Sequence, residues 1–190
     1  MDTPFRLVDR NSVAGKPKQL LLMRHAKSDW EAAANSDFER PLNPRGRHDA
    51  PRMGGWLQTQ DMIPDLVLTS PARRANQTAL AVLEILGLDE ARLQLVDEMY
   101  LASRSTLLDV LATKLSAADS VLLVAHNPGL DDLVAWLADT PPPLSASGKL
   151  MTTAAIAWFE LSGGSAKPGP DTASLKQLVR PADLVSQAGN

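Results

Sequence analysis

The sequence predicts an α/β protein: a three-layer sandwich with a mainly parallel central sheet flanked by helices. Two observations carry this prediction. Short apolar runs recur along the chain, and the intervals between them hold stretches with helical spacing of apolar residues. A third observation sets the sheet type. The first three runs hold neighbouring apolar residues without alternation, as strands covered on both faces require.

Residues 1–18 are polar, carry Pro4, Gly15 and Pro17, and show no sustained periodicity, so they read as a loose arm ahead of a single domain over residues 19–190. The first strand is QLLLMR, residues 19–24. A helix follows over residues 45–60, with Asn43 placed as its N-cap and Pro44 at its first position. The second strand, DLVLTS at residues 65–70, leads through Ser70 and Pro71 into a helix ending at Leu86 by the same logic. QLVD at residues 94–97 is a candidate short strand, and residues 105–115 have helical spacing. SVLLVAH at residues 120–126 is the third apolar run, and Asn127 and Pro128 lead from it into a helix over residues 130–138. TAAIAWFEL at residues 153–161 is the fourth run. SLKQLVR at residues 174–180 adds a last strand after the turn-rich SGGSAKPGP. No internal repeat or dividing linker interrupts the order.

A chain of 190 residues with 44% hydrophobic content suits one globular domain. Its net charge of -3, with interspersed signs, offers no basic field for nucleic acid, and no apolar run is long enough to span a bilayer. Neither nucleic acid nor a membrane is an expected partner. There is no secretory h-region, and the absence of cysteine removes disulfides and thiolate metal sites, so a cytoplasmic location is expected. Oligomeric state is not legible in these residues.

In sheets of this kind ligands bind outside the carboxyl ends of the strands. Arg24 and His25 end the first run, Thr69 and Ser70 with the following arginines end the second, and His126 and Asn127 end the third. Of the chain's three histidines, two terminate apolar runs in this way. Two imidazoles without cysteine or a regular carboxylate pattern make a weak zinc site, whereas imidazoles with guanidiniums suit a tetrahedral oxyanion. Phosphate is the natural ligand class. Arginine forks hold its oxygens, and a neutral imidazole can attack phosphorus to give a phosphohistidine. Neither a metal nor another cofactor is required by that scheme.

The segments LLLMRHAKSDW, LTSPARRANQTA and LLVAHNPGL resemble, in order, spacing and strand-end placement, the three signature segments of the histidine phosphatase superfamily, the phosphoglycerate-mutase-like fold. Small size, RPLNPRGR after the first motif and no long insertion to form a large cap make the chain most similar to the SixA-type phosphohistidine phosphatases. The resemblance implies roles. His25 matches the nucleophile, Arg24 its phosphate-binding neighbour, and His126 the second catalytic histidine. Arg74, immediately before the alanine of the RA.QT pattern, is preferred over Arg73 as the other phosphate-binding arginine. Ser28 sits where relatives often place a small polar residue beside the phosphate. Glu98 in VDEMYLAS is the nearest counterpart of the general acid, with Asp97 its rival. Ala26 stands where the first motif usually has glycine.

The activity so implied is that of a metal-independent phosphatase working through phosphohistidine, with a phosphohistidine-bearing protein as substrate. A phosphatase of small phosphomonoesters or nucleotides is the alternative, favoured by a basic or aromatic lining around Lys27, Trp30 and Tyr100. A phosphate-binding module without turnover is the alternative from another class. Outside the motifs, His48 reads as a surface or packing residue and Trp56, Trp136 and Trp158 as core. Lys27, Asp29 and Trp30 line the cleft mouth or sit in an exposed loop.

Overall fold

A computed structural model describes residues 17–162 and 167–185. In chain order the elements are β1 (Lys18–Arg24), α1 (Pro44–Thr59), β2 (Leu66–Thr69), α2 (Arg73–Leu86), β3 (Leu93–Leu95), α3 (Arg104–Lys114), β4 (Ser120–Ala125), α4 (Gly129–Leu137), β5 (Ile156–Leu161), β6 (Ala173–Val179) and α5 (Pro181–Val185). Single helical turns lie at Glu90–Arg92 and Asp97–Met99. The arm expected over residues 1–18 lies outside the described residues except for Pro17 and Lys18, and Lys18 already belongs to β1.

The strands form one sheet in the order β3-β2-β4-β1-β5-β6. Strands β3, β2, β4 and β1 run parallel, while β5 and β6 add antiparallel at one side. The uninterrupted apolar runs follow from this architecture. Leu20 and Leu22 of β1 point into a core with Leu107, Leu111, Leu130 and Leu133 of α3 and α4. Leu21 and Met23 point the other way, into a core with Met53, Leu57, Val82 and Leu83 of α1 and α2. Every side chain of the strand's centre is therefore removed from water, at roughly 25 cal/mol for each Å² of apolar surface buried.

Local signals explain most boundaries. Asn43 accepts a hydrogen bond from the Gly46 N–H at 2.9 Å and caps α1, with Pro44 at its start. Gly87, left-handed at φ 64, ends α2. Three expectations are corrected. The helix expected from Pro71 begins at Arg73, with Ala72 as an N-cap whose side chain makes no capping bond, and the Ser70 hydroxyl just ahead of it accepts from the Ala72 N–H at 3.3 Å and from a histidine at the end of the neighbouring strand at 2.8 Å. The strand expected from Thr153 begins at Ile156, because Ala154 turns the chain at φ 62. Of the three tryptophans assigned to the core, Trp56 is buried while Trp136 and Trp158 are half-buried. His48 is exposed on α1.

Candidate active site

The carboxyl ends of β1, β2 and β4 lie side by side in the sheet, so the chain delivers Arg24 and His25, Ser70, and His126 to one edge. There Arg24, His25 and His126 border a cleft of about 330 Å³ whose walls also include Lys27, Ser28, Trp30, Asp37, Arg40, Arg74 and Leu101, while the fully buried Ser70 bonds His126 from outside the walls. Arg74 enters from the first turn of α2 and is buried, whereas Arg73 is exposed.

The two imidazole centroids are 5.0 Å apart. Nδ1 of His25 is 2.8 Å from the Ala26 carbonyl, which only accepts, so Nδ1 carries the proton and Nε2 keeps its lone pair. The Arg74 Nε–H, 3.3 Å away, donates to that Nε2. On His126 the order is reversed. Nδ1 accepts from Arg74 Nη2 at 3.4 Å and Nε2–H donates to the Ser70 hydroxyl at 2.8 Å. Burial first, then the neighbouring His126, Arg74 and Arg24, push the His25 pKa from 6.5 down to about 3 against the Ala26 hydrogen bond. Burial and Arg74 bring His126 to about 4. Both rings are neutral at pH 7.

Arg74 is fixed by a residue that sequence reasoning missed. Its Nη1 donates to the Asp37 carbonyl at 2.7 Å and its Nη2 to the Asp37 carboxylate at 3.0 Å. The same carboxylate takes Arg40 Nη2 at 2.6 Å and the Tyr100 hydroxyl at 3.0 Å. Partial burial would raise the Asp37 pKa, but Arg40, Tyr100 and Arg74 hold it at about 2. Arg40 also donates to the hydroxyl of buried Ser28 and lies 3.6 Å from the ring centroid of Trp30, itself 72% exposed. Arg40 stands in the quoted RPLNPRGR, and the Asp37–Arg40 spacing of three residues was its one local signal.

A second unforeseen support is the turn before β5. Met151 O accepts from Arg24 Nη1 at 2.8 Å, and the Ala154 N–H donates to the Arg24 carbonyl at 3.1 Å. Asp131 of α4 fixes this turn by accepting from the Met151 N–H and from Asn127, at 3.0 and 2.7 Å. Two glycines allow the close approaches. A Cβ on Gly46 would stand 2.1 Å from the Lys27 carbonyl of the His25 loop, and one on Gly129 would stand 2.0 Å from the Ala102 carbonyl. Ala26 needs no glycine: Asp61, Leu101 and Ala154 are the left-handed non-glycine positions among the described residues, and Ala26 is not one of them.

Glu98 is not brought to the histidine pair. With Asp97 it lines a separate groove of about 600 Å³ between β3 and α3, whose walls carry neither histidine nor arginine. That groove is the larger, but the cleft at the strand ends holds the histidine pair and the arginines. Among the described residues no cluster of three histidine, cysteine or acidic side chains could hold a metal ion, and no helix is long and apolar enough to cross a membrane.

Fold and site together define a protein with a mostly parallel α/β sheet and a histidine pair set among arginines, without a large cap among the described residues. This chain belongs to the histidine phosphatase superfamily. The model of that superfamily's branch 1 matches residues 20–107. Phosphohistidine phosphatase SixA of Escherichia coli K12 is 33% identical over 143 residues, covering 73% of this chain and 83% of the relative. An uncharacterized protein of Mycobacterium tuberculosis H37Rv is 32% identical over 157 residues, covering 80% of this chain and 96% of its own. The solved structure of the protein histidine phosphatase SixA complexed with tungstate superposes with a TM-score of 0.71 at 29% identity, over 87% of this chain and 99% of that one.

Proposed function

We propose that the protein is a metal-independent phosphatase that transfers a phosphoryl group to Nε2 of His25 and then to water, with phosphohistidine on a protein as substrate. The observation that carries this reading is the neutral His25, its Nδ1–H held by the Ala26 carbonyl and its Nε2 lone pair turned to Arg74. The tungstate bound by the similar SixA structure is a tetrahedral oxyanion, the geometry of phosphate, which supports the same ligand class here.

In this reading Arg24 and Arg74 take the phosphoryl oxygens, and Arg40 and Ser28 border them. Nε2 of His25 forms its bond to phosphorus as the substrate's P–N bond breaks, and the departing imidazole keeps its own proton. Arriving negative charge favours uptake of a proton from solvent at Nδ1 of His126, which gives up the Arg74 Nη2–H it accepts in the free site and donates to an oxygen of the transferring group. Water attacks phosphorus next, the P–Nε2 bond breaks, and phosphate leaves. Guanidiniums and imidazoles carry all of the charge, so no step calls for a metal.

Lys27 and Trp30 at the cleft favour a second reading, in which a small phosphomonoester or nucleotide is the substrate. The Arg40 guanidinium already occupies one face of that indole, which weakens it as a stacking platform. Phosphate release in EDTA from a phosphohistidine protein and from a panel of phosphomonoesters and nucleotides separates the two. Preference for the protein, with His25→Ala inactive yet still binding inorganic phosphate, is the expected result. Preference for the small esters moves the substrate, and no release from any of them identifies a binding module.

A further inference from the structure

Thr78 is wholly buried in α2, outside the cleft walls, and its hydroxyl joins the two halves of the site. Its Oγ1 accepts the Ala26 N–H at 3.0 Å and donates to the Arg74 carbonyl at 2.7 Å. The second bond is the common back-bond of a helical threonine to the residue four before it. The first is not local: it spans 52 residues and ends on the residue beside His25.

That residue carries the acceptor on which the chemistry depends. The Ala26 carbonyl takes Nδ1–H of His25 at 2.8 Å, and this bond leaves Nε2 unprotonated. Rotation of Ala26 would swing the carbonyl away and free the imidazole to place its hydrogen on Nε2. That hydrogen would then meet the Arg74 Nε–H, donor against donor, on the atom meant to attack. We propose that Thr78 is a positioning residue that fixes the tautomer of His25 by holding the Ala26 backbone, while tying the same turn of chain to Arg74. Its kinetic consequence rests on the reading of His25 as phosphoryl acceptor; its effect on the tautomer does not.

The test uses Thr78→Val, which keeps the shape and removes the hydroxyl, Thr78→Ala, which removes it without placing a methyl against the N–H, and Thr78→Ser, which restores it. Nitrogen NMR of His25 in the unliganded protein reads the tautomer without any turnover. The Nδ1-protonated form is expected in the wild type and in Thr78→Ser, and a mixture in the other two. In those two, kcat falls roughly 10- to 100-fold while affinity for inorganic phosphate stays within about twofold, the pattern of a lost supporting hydrogen bond. A wild-type tautomer in Thr78→Val or Thr78→Ala overturns the inference, as does failure of serine to rescue it. If neither variant folds while serine does, Thr78 is a packing residue and the inference falls. A wild type without turnover overturns the reading of His25 instead, and the NMR result still decides the tautomer.

Discussion

His25 shows how a single residue acquires its chemistry from its surroundings. An imidazole in water is half protonated near pH 6.5, about where its lone pair is needed. Burial and two close arginines remove the proton, and one carbonyl decides which nitrogen keeps the remaining hydrogen. The two histidines and Arg74 were legible because each sits at the end or start of an element with its motif around it. Asp37 and Arg40 were not, because the loop that carries them has no periodicity and the Asp37 contact with Arg74 forms only when the loop meets α2 across 37 residues of chain. Glu98 illustrates the opposite error. Its place in the sequence suited a proton donor, but the turn after β3 leaves it in another groove. Glu98→Gln is therefore expected to keep kcat/KM within about twofold on esters and phosphohistidine alike, where loss of a general acid would cost about 100-fold or more. Steady-state kinetics on both substrates checks this.

At the scale of elements, the strands were read well because burial on both faces writes itself into the sequence as unbroken apolar runs. Helix α1 was read well because Asn43 and Pro44 act locally. Errors fell where tertiary contacts override local signals. Ser70 looks like the cap of α2, but its hydroxyl takes the Ala72 N–H and the His126 Nε2–H together, and the helix starts later, at Arg73. Thr153 and Ala154 look like the start of β5 but turn beside the end of β1, where the Ala154 N–H supports the Arg24 carbonyl. The short helix α5 carried no apolar period to reveal it. Gly46 belongs to this scale too, since its missing Cβ sets how closely α1 approaches the His25 loop.

For the whole molecule, the cleft gathers Arg24, Arg40 and Arg74 around two neutral imidazoles, with Asp37 as counter-charge. Burial of the two rings, and after it this concentration of positive charge, makes their protonation costly in the folded protein. Folded His25 and His126 titrate at about 3 and about 4, below the 6.5 of a free imidazole, so between these values the unfolded chain binds more protons than the folded one. Stability is complete above pH 6.5 and falls as pH drops through that window. Urea unfolding is expected to show a lower midpoint at pH 5 than at pH 7, and an unchanged midpoint would contradict the depressed values. The covalent step tests the account most directly. A radiolabelled phosphohistidine protein is mixed rapidly with the enzyme, quenched in alkali and mapped by peptide. Alkali-stable, acid-labile label on His25, absent from His25→Ala, is the predicted result; turnover with label on another residue, or on none, would contradict it.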